Sequence, residues 1–153
     1  MEKTTTAFFF AFLLFAFISS CDKDGKSVSN ISSYNSTRSH NMGQNCMNCH
    51  KQGGEGEGWF TAAGTVYKPN LSTTNPNNTI YLYTGPNGTG TLKATIEGDA
   101  KGNFHTTESI DFGSGLYPCV KNSANDIQYM SSSITQGACN SCHGVSEDKI
   151  WNN

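Results

Sequence analysis

Hydrophobic positions along this chain fall into three regimes. Residues 7–18 are an unbroken apolar run. From 59 to about 137 the apolar residues come in short clusters set apart by Gly, Pro and Asn, and elsewhere they are sparse and aperiodic. The first run is too short to cross a bilayer and has the length of a signal-peptide core. The middle region predicts strands over 59–67 (closed by Pro69), 79–83, 91–96, 103–107, 116–120 and 127–130. In the second of these, Ile80 and Leu82 share one face. Gly85-Pro86-Asn87-Gly88 and the run from Gly98 to Gly102 are turns, because Pro presets one φ and Asn-Gly tolerates positive φ. Turns about every ten residues, with no helical period before the final segment, predict a mainly β chain built as a small antiparallel sandwich.

Composition narrows the class. A chain of 153 residues is one domain of ordinary size. Charged residues are only 14% of it, too few for a helical bundle or coiled coil. The net charge of −2 leaves no basic footprint, so nucleic acid is not an expected partner. Six cysteines and 16 glycines suit an exported, turn-rich protein.

Lys3 and the apolar run lead into Ile18-Ser19-Ser20-Cys21, which resembles a bacterial lipobox. The resemblance implies that Cys21 becomes a diacylglycerol-modified N-terminus, anchoring the chain in the bacterial cell envelope on the outer-membrane, periplasmic or surface face. An ordinary signal peptide cut near Ser20 is the other reading, and both export the protein. The Ser/Asn-rich stretch that follows lacks the apolar surface to order itself and reads as a flexible tether. The expected organisation is 1–20 signal peptide, 21–39 tether, 40–58 first cofactor-binding segment, 59–137 β-sandwich and 138–153 second cofactor-binding segment.

The chemistry borders the sandwich. Cys46-Met47-Asn48-Cys49-His50 precedes it and Cys139-Asn140-Ser141-Cys142-His143 closes it. Cys-x-x-Cys-His is the haem c attachment pattern. Two intervening residues put both thiols on one side of a tight turn, within reach of the two vinyl groups of one porphyrin, and the next residue offers its imidazole to iron. The expectation is two haem c groups, held by Cys46, Cys49, Cys139 and Cys142, with His50 and His143 as proximal ligands. A tetrathiolate zinc site would use the same cysteines, but its pairs belong about 15–20 residues apart. Disulfides would suit export yet leave both histidines unexplained. Thioredoxin-like chemistry needs a βαβ context that the pattern lacks.

Two irons offer four axial positions, and His40 and Met130 are the expected distal ligands. Met47 lies inside its own motif. His105 follows Phe104, a core residue, and alternation directs it to solvent. Trp59, Phe60 and Tyr67 are candidates for packing on a haem edge or, more simply, in the core. Cys119 lies on a strand beside Pro118, which suggests an edge or bulge, and packs as a small apolar residue.

Gly64-Thr65-Val66, Asn78 to Leu82, Asp99 with Gly102-Asn103-Phe104, and Gly115-Leu116-Tyr117 resemble the carboxypeptidase regulatory-like module, a prealbumin-type β-sandwich. That resemblance covers about half the chain and implies fold alone. With a Cys-x-x-Cys-His at each border, and the segments from His40 to Cys46 and from Gly137 to Gly144, the whole resembles a family of small exported bacterial dihaem c-type cytochromes and lipoproteins. The family position matching His105 is more often Tyr. The resemblance implies electron transfer, without catalysis of its own, to redox partner proteins or other cytochromes, with the oligomeric state open. A haem-dependent peroxidase or other oxidoreductase is one alternative, and a non-redox envelope scaffold is another.

Overall fold

A computed structural model describes residues 28–153. The apolar run of 7–18, Cys21 and its lipobox lie outside the described residues. Seven strands form two sheets, and the only helical elements among the described residues are three short 3-10 turns. The chain is mainly β, a small sandwich.

The four-stranded sheet has the order β3 (Leu92–Glu97), β2 (Thr79–Tyr83), β5 (Tyr117–Lys121), β6 (Ile127–Tyr129), antiparallel throughout. The three-stranded sheet has the order β4 (Asn103–Thr106), β1 (Ala62–Thr65), β7 (Gly137–Ala138). There β4 runs antiparallel to β1 and β7 parallel to it. The expected alternation of β2 is met: Ile80 and Leu82 are buried, whereas Tyr81 and Tyr83 are half-buried. These two join Val66, Ile96, Phe104, Leu116 and Val120 in the core between the sheets. The first strand is shorter than the 59–67 expected, because only Ala62–Thr65 finds ladder partners.

Turn chemistry closes the hairpins. Asn87 (φ 54°) and Gly88 (φ 73°) take the left-handed region between β2 and β3. Between β3 and β4, Asp99 Oδ1 accepts from the backbone N–H groups of Lys101 and Asn103, and Gly102 has φ 82°. Pro118 lies in a central strand rather than at an edge. Its carbonyl accepts from Met130 N just past the end of β6, so Pro118 costs the sheet only one ladder bond at the end of the β5–β6 pairing.

The segment expected to be a tether is not free over its described part. Ser32 N donates to His105 O at 2.9 Å, Ser32 Oγ to Glu97 O at 2.5 Å, and Asn30 N to Thr107 Oγ1 at 3.0 Å. Ser39 O accepts from Lys101 Nζ at 2.6 Å, and Asn35 N to Asn77 Oδ1 and Ala100 N to Ser36 O continue the stitching near the turn. A polar segment can be ordered by side-chain and backbone hydrogen bonds that hydrophobic patterning does not register.

Candidate functional site

The two Cys-x-x-Cys-His motifs fold into the same local structure. Cys46–Asn48 and Cys139–Ser141 are each a 3-10 turn. Each first-cysteine carbonyl accepts twice: Cys46 O from Cys49 N (3.2 Å) and His50 N (3.0 Å), Cys139 O from Cys142 N (3.2 Å) and His143 N (3.0 Å). Each first thiol points back at a carbonyl two residues earlier, Gln44 O or Gly137 O. At the first motif, Cys46, Cys49 and His50 line a common cleft.

Each imidazole is also fixed in the same tautomer. His50 Nδ1 is 2.9 Å from Glu57 O, and His143 Nδ1 is 2.5 Å from Asp148 O. A carbonyl only accepts, so Nδ1 carries the proton and the Nε2 lone pair is left for a metal. The loop carrying Glu57 can cross the His50 ring because residue 56 is glycine: a Cβ there would lie 2.6 Å from Nδ1.

In front of the first motif is a cleft of about 530 Å³, within the size range of small-molecule sites, about 300–1,000 Å³. It is lined by Cys46, Cys49, His50, His40, Phe60 and His105, with Arg38 at its rim. The rings of His40 and His50 have centroids 6.0 Å apart. Two metal–imidazole bonds of about 2.0–2.1 Å, plus the distance from each nitrogen to its ring centre, span about 6.4 Å, so the pair is spaced as axial ligands on one ion would be. His40 is held there by its carbonyl and by Ser39, both accepting from Asn103 Nδ2 (3.3 and 2.9 Å).

His105 departs from the solvent-facing role expected of it. It does leave β4 on the face opposite Phe104, but there it is half-buried and stacks on Phe60, with centroids 4.6 Å apart and planes at 25°. Phe60 in turn stacks on His50 at 4.1 Å and 9°. Burial pulls the His105 pKa down to about 4, with His50, His40 and Arg38 adding to the effect and Asp99 opposing it. Met130 directly follows β6, on the sheet that carries neither motif, and does not line the cleft.

The second motif enters directly from β7, which pairs with β1. Asn140, inside that motif and buried, accepts from Thr65 N (3.2 Å) and donates from Nδ2 to Thr65 Oγ1 (3.2 Å) and Gln44 O (3.0 Å). Thr65 Oγ1 also accepts from Gly43 N at 2.9 Å. One buried polar node on β1 thus holds the segments that lead into both motifs. Gly64 permits the close approach, since a Cβ there would sit 3.1 Å from the Cys139 Cβ.

All five described cysteines are unpaired, so no disulfide forms among them. No group of three or more His, Cys, Asp or Glu converges for a metal among the described residues, so the four motif cysteines do not make a zinc tetrathiolate. Burial raises the thiol pKa of Cys46, with Cys49 adding to the shift, and that of Cys139 to about 12, with Cys46 and Cys142 adding to it. Cys119 is buried and its thiol pKa is likewise raised, as for a packed apolar residue.

Sequence reasoning missed Asn30, Thr65 and Asn140, and the carbonyls of Glu57 and Asp148. Backbone carbonyls leave no mark in a sequence, although the glycine density of residues 53–58 signals a loop that must pass close to something. No family model, no curated protein and no solved structure matches this chain.

Proposed function

We propose that the chain is an electron-transfer protein carrying two covalently held c-type haems, tethered through Cys21 to a bacterial envelope. The observation that carries this reading is the duplicated turn, with paired free thiols and an imidazole whose Nδ1 proton is committed to a carbonyl. That donor set fits haem c and neither of the other cysteine chemistries. When bound, the haems supply one-electron iron(III)/iron(II) chemistry.

The residues of this chain then have definite roles. Cys46 with Cys49, and Cys139 with Cys142, hold the two porphyrins by thioether bonds. His50 and His143 present Nε2 to the irons, and their Nδ1–H···O=C bonds fix ring orientation and basicity. His40 takes the distal position on the first iron. With His50 and His40 both committed to the first haem, that haem would have no residue-free position for substrate, which would favour electron transfer over peroxidase chemistry.

A pyridine haemochrome assay combined with intact mass tests the reading. Two haems per exported chain are expected, with Cys49→Ser and Cys142→Ser each removing stable attachment at its own site. Purified protein that contains zinc and no iron would end the proposal.

A further inference from the structure

Five groups close a ring of contacts behind the first motif. His50 Nδ1 donates to Glu57 O at 2.9 Å. The same carbonyl accepts from Asn30 Nδ2 at 3.0 Å. Asn30 Oδ1 is 3.1 Å from His105 Nε2, and with the amide nitrogen committed to Glu57 the oxygen is the acceptor and His105 the donor. His105 stacks on Phe60, and Phe60 stacks on His50. The circuit draws on β4, on the loop before β1 and on the segment expected to be a tether.

Resting on the two-haem reading, we propose that Asn30, with His105 and Phe60, is a positioning device that sets the electron-donating strength and ring orientation of the proximal His50, and through it the potential of the first haem. Glu57 O divides its acceptor capacity between two donors, so Asn30 weakens the hydrogen bond that His50 makes. A weaker Nδ1–H···O bond leaves the imidazole less electron-rich, which favours the reduced iron. The aromatic stack fixes the rotation of the ring about its bond to the metal, which the hydrogen bond alone would leave looser. His143 has its own acceptor, Asp148 O, so the second haem is outside the circuit.

The test uses the full haem-loaded chain and spectroelectrochemical titration. The first haem is identified as the one lost in Cys46→Ser/Cys49→Ser. Asn30→Ala frees Glu57 O for His50 alone and should lower the first haem's midpoint by on the order of tenfold in the reduction equilibrium, about 59 mV for one electron, with the second unmoved. His105→Phe, which keeps the stack but loses its bond to Asn30, should shift the first haem less. Phe60→Leu should alter the g-values of that haem alone in electron paramagnetic resonance. If Asn30→Ala lowers the melting temperature while both potentials and both sets of g-values stay unchanged, the residue is merely structural and the inference is overturned. A haemochrome assay showing no haem in the wild type overturns both this inference and the reading beneath it, so the two failures are distinguishable.

Discussion

His40 is an exposed residue on a surface segment, yet its ring centroid lies 6.0 Å from that of His50. Its backbone is held there by Asn103, whose Nδ2 donates to His40 O and Ser39 Oγ, and in the two-haem proposal its ring would take the distal side of the first haem. His40→Ala should convert the first haem from a six-coordinate low-spin to a five-coordinate form that binds carbon monoxide when reduced, seen as a gain of one bound equivalent per chain. No gain in binding and an unchanged spectrum would remove His40 from the iron. His105 makes a different prediction, of stability. Its pKa is lowered from 6.5 to about 4, chiefly by burial. Between those values the unfolded chain takes up a proton that the folded chain refuses, so this group's contribution is present above pH 6.5 and is lost as pH falls toward 4. Urea midpoints at pH 7 and pH 5 should differ more for wild type than for His105→Phe. Equal differences would show that His105 does not carry the acid sensitivity.

At the scale of elements, the two motifs depend on β1. Asn140→Ala would remove three hydrogen bonds and leave the buried Thr65 N–H without an acceptor. The expected cost is about 1.5–4.5 kcal/mol, from three bonds at roughly 0.5–1.5 each, measurable by chemical denaturation. A loss under about 0.5 kcal/mol would mean that the node is not needed to hold the motifs. Much of this framework was legible in the sequence for a physical reason. The alternation of Thr79–Tyr83, the turn at Pro86–Gly88 and the Asp99–Gly102 turn are local, and local chemistry decides them. Cys-x-x-Cys-His is local too, and its turn follows from spacing. What was illegible is non-local. The strand Gly137–Ala138 is two residues long, exists only by pairing with β1, and has Gly137 because a side chain would collide with Thr61 and Ala62. The ordering of 28–39 rests on Ser, Asn and Tyr side chains whose partners lie 27 to 75 residues away, as in Asn30 to Glu57 and His105, Tyr34 to Thr79 and Ser39 to Asn103. His105 was placed correctly on its face and wrongly in its environment, because alternation gives a direction and cannot say what covers it.

At the scale of the whole molecule, the strand β1 decides how far apart the two Cys-x-x-Cys-His turns can be. The motifs lie 90 positions apart in sequence (from Cys49 to Cys139), and a sandwich could have set them at opposite ends. Instead Gln44, just before the first motif, is bonded to Asn140 inside the second at 3.0 Å, and the Cys46 thiol is close enough to influence Cys139 electrostatically. Two haems held by these turns would sense each other's charge. Unit charges about 10 Å apart interact by about 1.7 kcal/mol at an effective dielectric of about 20, and half that at about 20 Å. An electron on one iron therefore makes the second electron harder to add. In a redox titration, each single-haem variant, Cys46→Ser/Cys49→Ser or Cys139→Ser/Cys142→Ser, should begin from its own one-electron curve. The two-haem protein should spread over a wider range than the sum of those two curves, with its lower-potential step displaced downward. The displacement should shrink with added salt, since both motifs reach the surface at Cys49 and Cys142 and exposed charges are screened. If the wild-type titration is the plain sum of the two variants, the haems are electrostatically independent and the closeness of the motifs has no redox consequence.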